Sequence, residues 1–132
     1  MKAILRSASV TLATLVLSCA AFGHHSFDAE FDSEKAVSVD GTVTKIEWIN
    51  PHSFIYIDVT GKDGKVVNFS VEGGPVGMLR RWGIEKDLLK PGEKIHVNGF
   101  ASKDGSNRMA GWQFVLPDGT KKQMGPLVRP LK

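Results

Sequence analysis

The chain has 132 residues, 42% hydrophobic and 23% charged, with a net charge of +3 from 17 Lys and Arg against 14 Asp and Glu. That length suits one domain with a single modest core, and the lone cysteine, Cys19, excludes an intramolecular disulfide. Lys2 and Arg6 carry two of the positive charges, so beyond residue 23 the balance is 15 against 14, or +1, without the basic stripe that phosphate binding needs; nucleic acid is excluded as a partner.

Lys2 and Arg6 precede the apolar stretch Val10–Leu17, which is too short to span a bilayer, and small residues follow in Ser18-Cys19-Ala20-Ala21-Phe22-Gly23. This pattern predicts a secretory signal at 1–23, cut before His24, although cuts after Ala20 or Ala21 also satisfy the small-residue rule. The expected layout is then an N-terminal arm (24–35), a barrel domain (36–124) and a C-terminal tail (125–132). The expected address is periplasmic or secreted, with no transmembrane segment once the signal is removed. Leu17-Ser18-Cys19 loosely matches a lipobox, which would instead leave the protein lipid-anchored through Cys19.

From Val37 onward, short alternating apolar runs broken by Gly, Asp and Pro predict antiparallel strands. The first runs from Ala36 to Ile49. Val37, Val39 and Val43 share one parity, Ile46 and Trp48 the other, so a bulge or sharp bend is expected near Thr44-Lys45. Ser53–Thr60 follows, with Ile55, Ile57 and Val59 on one face and Phe54 and Tyr56 on the other. The turn Gly61-Lys62-Asp63-Gly64 leads into Lys65–Glu72, where Val67, Phe69 and Val71 alternate with Asn68, Ser70 and Glu72. Pro75 opens a short helix that buries Val76, Leu79 and Trp82 and ends at Gly83. A fourth strand, Lys94–Ala101, points Ile95 and Val97 inward, with His96 and Asn98 outward. The fifth, Arg108–Leu116, is expected to send Trp112, Phe114 and Leu116 to one side. A long bent strand, a hairpin, a helix and a final strand pair make an all-β fold with one short helix, in the order of a five-stranded OB-fold-like Greek-key barrel. A small β-sandwich is the rival, but it has no need of the helix.

All four histidines, His24, His25, His52 and His96, follow the predicted signal. A cut before His24 would leave an α-amino group and an imidazole as a two-nitrogen chelate, with a second imidazole at His25. Nitrogen-rich sites favour copper, with nickel and zinc behind it. His52 could add a ligand from the first interstrand loop, or His96 from strand four, if the arm folds back; a plain His-His end that binds metals adventitiously is the alternative. Trp48, Asn50, Tyr56 and Glu72 surround the Asn50-Pro51-His52 loop in the sequence pattern, with Asn68 beside them. They form the candidate ligand-binding wall, because in OB barrels this loop and the loop between the last two strands border the ligand face. Equally, Asn50-Pro51 could simply shape the turn. Arg80-Arg81 and Lys121-Lys122 read as solvated charges. No Gly-x-Ser-x-Gly, His-Glu-x-x-His or cysteine nucleophile argues for an ordinary enzyme.

His24-His25-Ser26-Phe27, Glu30-Phe31-Asp32, Gly41-Thr42-Val43, Trp48-x-Asn50-Pro51-His52, Leu89-Lys90-Pro91-Gly92 and Lys103-Asp104-Gly105-Ser106-Asn107 together resemble a family of small exported bacterial proteins of unknown function. The resemblance implies that His24 is the first mature residue and carries no activity with it. The amine-plus-histidine chelate is also similar to the histidine brace of copper monooxygenases, in the chelate alone. These residues suit three functions. The first is an exported binding module holding copper or a small ligand near His24, His25 and His52. The second is an adaptor that docks an exported protein through Phe54 and Tyr56, and the third a copper redox enzyme with only the chelate behind it.

Overall fold

A computed structural model describes residues 27–125; the predicted signal, His24 and His25, and the tail from 126 onward lie outside the described residues. The chain divides into two compact units, Met1–Glu30 and Phe31–Lys132. Of the first, one helical turn at 27–30 is described, and the second holds every described strand. Among the described residues no helix is long and apolar enough to cross a membrane.

Strand β1 (Phe31–Glu47) begins ahead of the expected Ala36, because Phe31 pairs with Ser102 and is buried to 3% exposure. Its expected bend is present: Val43 pairs with Ile57 and Lys45 with Tyr56, leaving Thr44 as the extra residue. That bulge switches parity, so Val43 is fully buried before it and Ile46 packs on the core after it. Strands β2 (Phe54–Thr60) and β3 (Val66–Glu72) form the expected hairpin in unbroken register from Phe54↔Glu72 to Thr60↔Val66.

Helix α1 (Val76–Arg81) follows Pro75, buries Leu79 and ends at Gly83, whose φ of +73° suits a residue without a Cβ. Strands β4 (Lys94–Ser102) and β5 (Arg108–Val115) complete the ring. The order runs β3-β2-β1-β4-β5, and β5 returns to β3 in parallel through Ser70↔Arg108, Val71↔Met109 and Glu72↔Ala110. This closure is the OB arrangement, and it removes the sandwich alternative, since one sheet curls onto itself rather than two sheets packing face to face.

Two features depart from the sequence expectation. Asn98 pairs with Gln113 but Gly99 with Gly111, so Trp112 is a bulge residue. Met109 and Phe114 therefore fill the interior, whereas Trp112, expected beside Phe114, is only half-buried. Glycine is required on both sides of this crossing. A Cβ on Gly99 would lie 2.3 Å from the Ala110 carbonyl oxygen, and one on Gly111 would lie 2.6 Å from Val71 Cγ1. A sixth strand, β6 (Lys121–Gln123), adds to β5, where five strands were expected. Lys-Lys-Gln has no apolar alternation to announce it; the tight turn at 117–120 creates it, with Leu116 N–H donating to the Thr120 carbonyl at 2.9 Å. The core comprises Val43, Ile55, Ile57, Val71, Ile95, Val97, Met109 and Phe114, and Leu79, Ile84, Leu89 and Met124 join the same cluster.

Candidate functional site

The loop after β1 is tied to the segment leaving β3. Buried Ser53 donates from its backbone N–H (3.2 Å) and its hydroxyl (2.9 Å) to the Gly74 carbonyl, and its own carbonyl accepts from Gly73 N–H at 2.8 Å. The Asn50–Pro51 peptide in this loop is cis. Asn50 Oδ1 accepts from Val76 N–H at 3.0 Å, so this side chain, expected in the ligand wall, caps the start of α1. Neither contact is visible in the linear sequence, since each joins residues more than twenty positions apart.

This anchoring places His52 against the end of β3. His52 Nδ1 lies 2.5 Å from Glu72 Oε1, with side chains 45% and 18% exposed. An ionised carboxylate only accepts, so Nδ1 carries a proton, and in the neutral imidazole this tautomer leaves the lone pair on Nε2. Within the described residues Nε2 has no partner. On the far side of Glu72, Arg108 Nη2 stands 3.8 Å from Oε2 and its guanidinium lies 5.6 Å from the Phe31 ring centroid. Arg108 opens β5 directly after the 103–107 loop, and the backbone N–H of Ser70 donates to Asn107 O at 3.0 Å. Glu72 is therefore flanked by His52 from the first loop and by Arg108, the strand residue that follows the 103–107 loop. Arg108 is a neighbour of Glu72 that the sequence pattern does not single out. Its only signal is its place at the first position of a strand, and the β3–β5 pairing that gives this position meaning is nonlocal.

Beside this cluster the outer face continues through Phe54 and Tyr56, whose rings stack at 6.3 Å between centroids. Tyr56 donates to Glu47 Oε2 at 3.0 Å, and Lys45 Nζ lies 2.5 Å from Glu47 Oε1 and 5.3 Å from the Tyr56 ring centroid. Burial, followed by the Glu47 acceptor, pushes the Tyr56 phenol up, while the Lys45 ammonium and the Tyr56 hydroxyl hold Glu47 below the usual carboxylate range. Asn68 lies further down the face and is bound to Asp58 Oδ1 (2.8 Å) and Thr44 Oγ1 (3.1 Å). Trp48 packs on the core rather than lining the open face, and its Nε1 is buried without a partner among the described residues.

His96 is placed differently. Its Nδ1 lies 2.8 Å from Asp40 Oδ1 and its Nε2 3.2 Å from Asn98 Oδ1, so both ring nitrogens are engaged. Of the two described histidines, His52 alone offers a free ring nitrogen. Among the described residues no group of three or more His, Cys, Asp or Glu is arranged to hold a metal ion, and the candidate ligands His24 and His25 lie outside the described residues. No curated protein matches the chain. A family model covers residues 12–111, three quarters of the sequence, and on that match the chain belongs to the family of unknown function DUF6152.

Proposed function

We propose that this protein is an exported binding module whose ligand is a metal ion, copper before zinc or nickel, held where His52 meets Glu72. The supporting observation is the 2.5 Å contact from His52 Nδ1 to Glu72 Oε1, which leaves Nε2 available. A histidine that ligates through one nitrogen and donates its other N–H to a carboxylate is the common arrangement in metal sites, because the carboxylate fixes the tautomer and raises the basicity of the ring. His24, with its freed amine, and His25 supply the remaining nitrogens in this proposal, and the nitrogen-rich set is the reason copper leads. Glu72 acts as the orienting partner, with Arg108 beside it.

The test starts with export of the full chain and reading of the mature N-terminus by mass spectrometry. Cu(II) and Zn(II) titrations then compare the wild type with His24→Ala and His52→Ala. The proposal expects a mature form that begins at His24 and binds Cu(II) more tightly than Zn(II), with both substitutions weakening Cu(II) binding. A mature form that begins at Phe22, or unchanged affinity in both variants, overturns it. A second reading, an adaptor for an exported protein, draws on the stacked Phe54 and Tyr56 rings on the same outer face. It expects a stoichiometric partner that co-purifies and is lost with Tyr56→Ala.

A further inference from the structure

An open groove of about 490 Å³ lies on the outer face of β2, β1 and β4 and shares no residue with the His52–Glu72 cluster. Strand register arranges its polar side. Thr42 stands opposite Asp58 on β2 and opposite Lys94 on β4. The row Asp58–Thr42–Lys94 crosses three strands and spans about 10 Å at the ordinary interstrand spacing. In the next row Asp40 faces His96, which in turn faces Val115 on β5.

The Asp58 carboxylate on β2 and the Lys94 ammonium on β4 therefore stand on either side of Thr42, while Asp40 shares the central strand with Thr42 and Thr60 shares β2 with Asp58. Lys94, Thr42 and Thr60 have no side-chain partner among the described residues. Asp58 uses Oδ1 to accept from Asn68 at 2.8 Å and Asp40 uses Oδ1 toward His96 at 2.8 Å, so each leaves its second oxygen uncommitted. Val115, Leu116 and Pro117 add an apolar wall. The volume falls in the range of small-molecule sites.

We propose that this groove binds a short zwitterionic peptide of about three residues, whose extended length of roughly 10 Å matches the Asp58–Lys94 row. Its α-ammonium sits at Asp58 and its carboxylate at Lys94. The Thr42 hydroxyl meets a peptide amide, and an apolar side chain rests on Val115. This site is independent of the metal reading and survives its failure.

The experiment uses the exported, ¹⁵N-labelled protein in EDTA, which keeps metal chelation by the peptide out of the readout. The probes are Ala-Leu-Ala and its N-acetylated and C-amidated forms. Saturable amide shifts are expected at Thr42, Thr60, Lys94 and His96 with the free tripeptide. Blocking either end weakens binding roughly fivefold, the scale of a solvent-exposed ion pair. In Lys94→Ala the amidated and free peptides bind alike, while the acetylation penalty remains; in Asp58→Asn the pattern reverses. Lys94→Gln replaces Lys94→Ala if the latter loses its folded spectrum. The proposal is overturned if the free tripeptide gives no saturable shifts, if capped and free peptides bind equally to the wild type, or if the amidation penalty persists in the Lys94 variants.

Discussion

Glu72→Gln separates a carboxylate that orients a ligand from one that merely supports the fold. The substitution keeps the length of the side chain and an acceptor oxygen for His52 Nδ1–H, but removes the charge between His52 and Arg108. With side chains 45% and 18% exposed, the His52–Glu72 pair is screened by water. Such pairs contribute about 0.2–1 kcal/mol, so the apoprotein should lose no more than about 4–8 °C in Tm. If His52 ligates through Nε2, loss of the orienting carboxylate should cost about 10–100-fold in metal affinity, equivalent to about 1.4–2.7 kcal/mol. The assay is Cu(II) titration in competition with a chelator of known affinity, run beside thermal unfolding of the metal-free protein. Glu47→Gln is the control, since Glu47 binds Tyr56 and Lys45 and touches neither histidine. Wild-type Cu(II) affinity in folded Glu72→Gln, or an equal loss in Glu47→Gln, would refute the orienting role.

Three further outcomes are expected. Gly99→Ala should destabilise more than Gly111→Ala in urea unfolding. The new Cβ at 99 meets a carbonyl oxygen at 2.3 Å, whereas that at 111 meets the Val71 and Met124 side chains at 2.6 and 2.8 Å, which can shift; the milder variant should cost about 1–3 kcal/mol. Asn50→Ala should cost about 0.5–2 kcal/mol, as loss of a helix cap does, with faster amide exchange at Val76. Asp104 is held down to about 2, first by the Ser102 hydroxyl and then by Ser106 through its hydroxyl and N–H. Because the folded value lies below the ordinary one, the stabilisation is complete above about pH 4 and is lost as pH falls toward 2. The Tm difference between wild type and Asp104→Asn should therefore be constant near neutrality and vanish at the acid end; a difference that persists below pH 2 would contradict this account.

Much of the barrel is written locally. The parity change from Val43 to Ile46 demands a bulge, and the register leaves Thr44 unpaired as that demand implies. The β2–β3 hairpin and the Pro75-to-Gly83 helix likewise follow from spacing and turn residues. The Trp112 bulge was not legible because Trp112, Phe114 and Leu116 alternate as a regular strand would. The irregularity arises from the close crossing of Gly99, Gly111 and Ala110, where neighbouring strands leave no room for a side chain. The contact of Asn50 with the start of α1 is not legible in the sequence because its partner, the Val76 N–H, lies 26 positions away.

The all-β class, the chain order of β1 to β5 and the bend in β1 follow from the sequence, because alternation and turn residues act over a few neighbouring positions. Which of the two described histidines keeps an unengaged ring nitrogen is set by contacts between distant segments. Closure of β5 onto β3 sets Arg108 beside Glu72 and the folded first loop brings His52 to the same carboxylate, leaving Nε2 free, while the β1–β4 ladder puts both nitrogens of His96 to use. Those pairings join residues distant in the chain, and their geometry exists only once the barrel has closed.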